Sequence, residues 1–275
     1  MVDSGKSAPK KLERVIDRIR FGLRDYLEKK VIISDHKHDY IFACTSRLEV
    51  FRAKTLFIKE EGTCAFIQDE LRPDDVFYDI GANIGIYSIL AGCLHRGSVR
   101  VYSFEPHAVN FLRLCRNIAV NGLGDTVHPL SLALSDKSGL SNFEYLGWDA
   151  ATSGHQLATE GESSIRAIFT ECKYSCCLDE LIEAGHLPPP NIVKLDVDGI
   201  EEKIIRGMER LLQSDQRPRL IQTEVDKGEG QKITDLMASY GYIKHGYHVS
   251  AGGRKKLARG KTLDEIVHNL VFAPA

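Results

Sequence analysis

Apolar and polar residues fall along this chain in blocks that read as alternating strands and helices. An apolar run, Val76 to Ile80, passes directly into Gly81-Ala82-Asn83-Ile84-Gly85. An apolar segment with helical potential, Ile86 to Leu94, comes next, then a second run, Val99 to Phe104, that stops at Glu105-Pro106. Apolar residues at 111, 112, 114, 115, 118 and 119 have the helical period, and Gly122 stands where a helix terminator belongs. The pattern then predicts a strand over 127–134, a short extra strand over 142–146, and a strand and short helix within 172–186. Further strands are predicted from 192 and over 220–225, 242–249 and 266–272, with helices over 201–212 and 233–240. Strands alternating with helices over about 200 residues imply a parallel sheet covered by helices on both faces.

Both ends of this pattern differ from its middle. Residues 1–10 read as a polar tail. From Leu12, apolar residues recur at Val15, Ile16, Ile19, Leu23, Tyr26 and Leu27, one face of a helix over 12–30. Residues 1–30 carry nine Lys/Arg against five Asp/Glu. Such a basic amphipathic helix packs against the α/β domain or a second subunit of a homodimer with its basic face solvated, or else lies on an anionic membrane surface as a peripheral contact. Short strands and a helix near 61–71 lead to Pro73-Asp74-Asp75. The domain expectation is a tail and helix over 1–44 and one α/β domain over 45–275. Residues 147–170 have little periodicity and read as a mobile lid or else a plain surface excursion. Residues 252–261 read as a basic loop with Arg254, Lys255, Lys256, Arg259 and Lys261.

Composition narrows the function classes. The 275 residues are 43% hydrophobic and 27% charged, enough for a sizeable core. A net charge of −2 argues against a protein that works by gripping nucleic acid. No apolar run reaches the roughly 18–20 residues that span a bilayer, and no signal-peptide core is visible. The seven cysteines form no C-x-x-C pair and read as free thiols of a reducing cytoplasm; no metal site is expected.

The strand, glycine turn, helix, strand and acid from Val76 to Glu105 have the layout of a nucleoside-binding unit. Small residues let the backbone approach a ligand, and the acid can hold a ribose. The spacing is G-x-N-x-G, which points away from the dinucleotide pyrophosphate that G-x-G-x-x-G serves.

These motifs, with Phe104-Glu105-Pro106, Asn117, Asn121, Ala133-Leu134-Ser135-Asp136, Leu178-Asp179-Glu180-Leu181, Val193-Lys194-Leu195-Asp196-Val197-Asp198-Gly199 and Glu224, resemble the FkbM family of S-adenosylmethionine-dependent methyltransferases. The likeness covers roughly residues 45–272 and departs at Asp198, where the family usually has Glu. It implies a Rossmann-like class I methyltransferase fold, with a mostly parallel seven-stranded sheet, and S-adenosylmethionine as cofactor. It also implies O-methylation of a hydroxyl on a sugar, glycan or small metabolite.

On this reading Asp79, Glu105, Asp136, Asp196 and Glu224 stand at or near the carboxyl ends of five strands, where open α/β sheets bind ligands. Glu105 would take the ribose diol, Asp79 the ammonium of the methionine end, and Ser135 with Asp136 the adenine. Gly81 and Gly85 would let the backbone close on the cofactor. Asn83 would hold the turn or bond the methionine end. Lys194, Asp196 and Asp198 share one face of a strand or its exit. Asp196 is the first candidate for proton abstraction or acceptor positioning, or else bonds the cofactor's amino-acid end. Lys194 would hold it ionised. Glu224 is the second candidate and His107 the third. The strand end lacks the Pro-Pro-aromatic run of amino-methylating nucleic-acid enzymes, and none of the cysteines follows proline as a cytosine C5 enzyme requires. Two other readings compete: a non-catalytic cofactor-binding module of the same fold, and a nicotinamide oxidoreductase.

Overall fold

The computed structural model describes residues 12–19, 28–157 and 167–275. Residues 12–19 are helical (α1), and Leu12, Val15, Ile16 and Ile19 are all exposed. Of the rest of the predicted helix, residues 20–27 lie outside the described residues, and its end does not hold, because Lys29 and Lys30 begin a strand. Strands β1 (Lys29–Ser34) and β2 (Asp39–Cys44) form an antiparallel hairpin, followed by helices α2 (Arg47–Lys54), α3 (Leu56–Lys59) and α4 (Glu61–Glu70). Ser46 caps α2 in a capping box with Glu49, whose carboxylate also pairs with Arg113 Nε at 2.6 Å.

The central unit runs β3 (Val76–Ile80), α5 (Ile86–Leu94), β4 (Arg100–Phe104), α6 (Ala108–Val120), β5 (Val127–Leu130). Next come β6 (Ala133–Ser135), β7 (Gly139–Tyr145), β8 (Gln156–Leu157), β9 (Phe169–Cys177) and α7 (Leu178–Glu183). The chain ends with β10 (Ile192–Leu195), α8 (Glu201–Arg206), α9 (Glu209–Gln213), β11 (Leu220–Val225), α10 (Gly230–Ser239), β12 (Tyr242–His248), α11 (Ala251–Leu257) and β13 (His268–Pro274).

Seven strands form the main sheet in the order β12-β13-β11-β10-β3-β4-β5. The five from β11 to β5 are parallel, and β13 runs antiparallel to both of its neighbours, β11 and β12. Helices cover both faces, so β3 is buried along its whole length. Its alternation sends Phe77 to the face packed by Ile89, Leu90 and Leu114, and Val76, Tyr78 and Ile80 to the face packed by Ile204, Met208 and Leu212.

Four features depart from the linear reading. The hairpin shares the core of the sheet domain, because Tyr40 and Phe42 pack with Phe77 and Leu90. Asn117 Oδ1 and Asn121 Oδ1 of α6 accept from the backbone N–H groups of Ala43 and Ile41, both at 2.9 Å, which satisfies the outer strand. A boundary at residue 44 therefore falls inside a packed unit. The predicted strand over 127–134 breaks after Leu130, and β6 joins β9, β7 and β8 in a second sheet. The helix predicted over 201–212 breaks at Gly207, where a Cβ would lie 2.1 Å from the Ser135 carbonyl oxygen. Asp179 then starts α9 by accepting from Arg210 N and Leu211 N at 2.8 and 2.9 Å. Finally, the basic stretch predicted as loop holds helix α11, capped by Ser250.

Candidate active site

A cavity of about 200 Å³ opens at the carboxyl ends of β3, β4, β10 and β11. Its floor is Ile80-Gly81 and Phe104-Glu105, and its walls come from Leu132-Ala133-Leu134, Phe143 and Ile200. The turn after β3 is tied to its neighbour: Gly81 N and Ala82 N both donate to the Phe104 carbonyl. Asn83 has φ +52 and Gly81 φ +80, both left-handed. A Cβ at Gly81 would stand 1.8 Å from the Asp196 carbonyl oxygen, so this glycine is required by the close approach of β10 as much as by any ligand. At Gly85 a Cβ would meet Leu114 at 2.5 Å.

Glu105 is only 5% exposed yet lines the cavity. Its two oxygens accept from Asn83 N at 2.7 Å and His107 N at 2.8 Å, which locks the side chain. Burial outweighs those bonds and pushes its carboxyl up to about 7. Spare lone pairs on both oxygens suit a pair of hydroxyl donors, and ionisation is favoured once such donors arrive.

Beside this floor lies a charged chain. Lys194 is 1% exposed, and its Nζ stands 3.2 Å from Asp196 Oδ2 and 3.4 Å from Asp79 Oδ1, over the Tyr87 ring. Burial opposes its charge, but Asp196, Asp79 and Glu60 together hold the ammonium well above its usual range. Burial likewise opposes ionisation of Asp196, and Lys194 overcomes it, so Asp196 titrates below the usual carboxylate range. Asp198 and Glu224 go the other way. Burial, then Gly154 N–H against Asp196 and Asp226, leaves Asp198 raised. Burial with Asp196 and Glu60 nearby lifts Glu224 to about 9. The cavity thus pairs an ionised acid with a protonated one. Glu201 accepts from Val197 N and Gly199 N, and so shapes the loop that carries Asp196 and Asp198.

The segment before β8 straps across the opening. Thr152 O accepts from Asn83 Nδ2 at 2.8 Å and Asn110 Nδ2 at 3.1 Å, and Gly154 N donates to Asp198 Oδ2 at 2.6 Å. His155 stacks on His107 with centroids 3.9 Å apart, and burial depresses both imidazoles, His155 to about 4. Thr152, Ser153, His155 and Leu157 line the cavity. Of the expected lid, residues 158–166 lie outside the described residues.

The structure brings Gly81, Asn83, Glu105, Asp196 and Glu224 to one cavity. Lys194 stands behind it, lining a smaller neighbouring hollow with Asp196, Tyr87 and Arg52. Asp79 is fully buried: Oδ2 accepts from Ser88 Oγ at 2.6 Å, and Oδ1 takes no hydrogen bond among the described residues. Gly85 caps α5 behind the turn. Ser135 and Asp136 bond each other at 3.0 Å and do not line the cavity, which Ala133 and Leu134 line instead. His107 is buried, its ring against Gly147 O and His155. Sequence reasoning missed Asn110, Thr152, Glu60 and Arg52. The capping box of α2 was readable, but nothing local shows that Arg52 lines the same cavity as Asp196.

The strand order, with its antiparallel final pair, and a cavity over the Gly81 turn and Glu105 define a class I methyltransferase fold. Residues 79–244 match the model of the methyltransferase FkbM domain. The chain therefore belongs to the FkbM methyltransferase family. It is 35% identical over 173 residues to the hexuronic acid methyltransferase AglP of Haloferax volcanii, covering 63% of this chain and 66% of that one. It is 28% identical over 176 residues to the 31-O-demethyl-FK506 methyltransferase FkbM of Streptomyces tacrolimicus, covering 62% and 66%. The matched segment thus spans just under two thirds of each relative. Among solved structures, a methyltransferase FkbM from Methylobacillus flagellatus superposes with a TM-score of 0.50 at 14% identity, over 82% of this chain and 52% of that one, a likeness of fold. The family's cofactor is S-adenosylmethionine, and the donor set fits it: a locked carboxylate for a ribose, an apolar wall for a base, and acids for a cationic centre. Among the described residues no helix is long and apolar enough to cross a membrane, and no cluster of His, Cys, Asp and Glu is arranged to hold a metal.

Proposed function

We propose that this protein transfers a methyl group from S-adenosylmethionine to a hydroxyl of a sugar, glycan or small metabolite. The observation that carries the reading is Asp196, ionised by Lys194 at 3.2 Å and placed in the same cavity as Glu105. The cofactor supplies an electrophilic methyl on a sulfonium. Glu105 would hold its ribose, and Gly81 and Asn83 would border its methionine end. Asp196 would accept the proton of the acceptor hydroxyl as that oxygen takes the methyl group. General-base help of this kind is worth about 10²–10⁴-fold, and holding the reactants together in a dry site removes about 7–11 kcal/mol. Glu224, protonated at neutral pH, donates a hydrogen bond to the acceptor. Asp79 acts from below by fixing Lys194 and Ser88. The strap over 150–157 excludes water.

The sugar comes first among acceptors because one relative is a hexuronic acid methyltransferase and the other, by its name, acts at an oxygen. We assign the reaction to the cytoplasm, since none of the seven cysteines is in a disulfide. A radiolabelled methyl-transfer screen over uronic-acid glycosides, neutral glycosides and metabolite fractions tests the function. S-adenosylhomocysteine should raise the melting temperature, and label should enter an O-methyl group that resists base. Absence of any thermal shift refutes the cofactor reading; a shift with no transfer to any fraction refutes the enzymatic one.

A further inference from the structure

The cavity is rich in acids, with Glu60, Glu105, Asp196, Asp198 and Glu224 all lining it. Among the described residues two side chains on its wall are fixed cations, Arg52 and Lys59, and both also line the smaller hollow beside Lys194. They project from α2 and α3, N-terminal to the segment that matches the family model. Lys59 is paired with Glu60 at 3.2 Å. Arg52 is different. Its Nε donates to the Ala151 carbonyl at 2.7 Å, which fixes the guanidinium against the strap. Its two Nη groups make no hydrogen bond or ion pair among the described residues. It acts on Asp196 and Asp198 only through its field, which favours their ionised forms.

A half-buried guanidinium that is held by one edge, open on its outer edge and set where two hollows meet is a fork for a planar anion. We propose that Arg52, with Lys59 beside it, forms a carboxylate-binding subsite at the mouth of the cavity. The inference rests on the methyltransferase reading. Two molecules of that reaction carry the required chemistry: the amino-acid end of the cofactor, and an acceptor that bears a carboxylate, as a uronic acid does. The ionised acids of the cavity, Asp196 first among them, repel either one, so a fixed cation is needed at the point where the carboxylate sits. A phosphate is a poorer match, because the nearest acids would oppose its second charge.

The experiment compares ligand pairs that differ in the carboxylate, by calorimetry on wild-type protein, Arg52→Gln and Arg52→Lys. One pair is S-adenosylhomocysteine and 5′-methylthioadenosine, which lacks the amino-acid end. The other, measured with S-adenosylhomocysteine present at saturation, is methyl glucuronide and methyl glucoside. In Arg52→Gln the carboxylate member of one pair should weaken about tenfold or more while its neutral partner stays within about twofold. Arg52→Lys should recover part of the loss. Loss in the first pair assigns the subsite to the cofactor, and loss in the second assigns it to the acceptor. A merely structural role for Arg52 weakens charged and neutral ligands together, and that result overturns the proposal, as does an unchanged charged-to-neutral ratio in both pairs. Failure of wild-type protein to bind even 5′-methylthioadenosine would instead refute the methyltransferase reading, and the subsite with it.

Discussion

Binding of the cofactor should release a proton near neutral pH, and Glu105 should be its source. In the unliganded protein burial moves this carboxyl from an ordinary value of 4.5 to about 7. At about 1.4 kcal/mol per pH unit, the difference amounts to about 3 kcal/mol. The sign follows from the folded value being the higher one. The folded protein holds the proton more tightly, so this group's contribution to stability is full below pH 4.5 and is lost as pH rises to about 7. Hydroxyl donors from a ribose favour the ionised form and recover part of that cost. S-adenosylhomocysteine should therefore bind more tightly as pH rises from about 5 to about 7, by up to tenfold per unit, and level off above. Calorimetry at pH 7 in buffers of different ionisation enthalpy should count about half a proton released from this group. Glu201 also sits near 7 and Glu224 near 9, so the control is Glu105→Gln. In that variant one amide N–H, of Asn83 or His107, faces a donor, and one charge-assisted bond to the ribose is gone. At about 1.5–3 kcal/mol per such bond, affinity at pH 8 should fall about 10–150-fold, and the proton release should drop by the Glu105 share. Equal affinities at pH 8, or equal pH slopes in the two proteins, would refute the assignment.

Other perturbations separate the remaining roles. Asp196→Asn should lower kcat by about 10²–10⁴-fold while S-adenosylhomocysteine affinity stays within about threefold; a large loss of affinity with kcat intact would make Asp196 a cofactor ligand. Lys194→Met leaves two buried carboxylates without their cation and should cost about 3–5 kcal/mol in urea unfolding; a change below about 1 kcal/mol would show that the ion chain does not hold the site. Asn117→Ala removes the acceptor for Ala43 N and the donor to Ile84 O, both buried, and should cost about 2–4 kcal/mol, with hydrogen exchange of the Ala43 amide accelerated. Glu224→Gln copies the protonated state. Its advantage in melting temperature should grow as pH rises from about 5 to about 9 and level off above, because over that range the native acid is held neutral while the unfolded one ionises; equal melting temperatures across that range would place the proton elsewhere.

The local parts of this protein were legible in its sequence. Val76–Ile80, the Gly81–Gly85 turn, α5 and the run to Glu105 are contiguous, and each has its own period or turn chemistry. The acid-rich ends of β10 and β11 were legible for the same reason. The burial of Asp79 was not, because only the packing of Ser88 and Lys194 around it shows which way it faces. Ser135 and Asp136 followed the same course: their motif is local, but β6 leaves the main sheet to pair with β9, some 40 residues on. The strands and helices, the Gly81–Gly85 turn and the family motifs are thus properties of short stretches of chain, set by periodicity and by turn chemistry. The tertiary structure alone decided the rest: the order of the strands, the split after Leu130, the strap held by Asn83 and Asn110, and the placing of Arg52 and Asp196 on one cavity. Each depends on contacts between residues tens to more than a hundred positions apart, and no local pattern encodes such a contact.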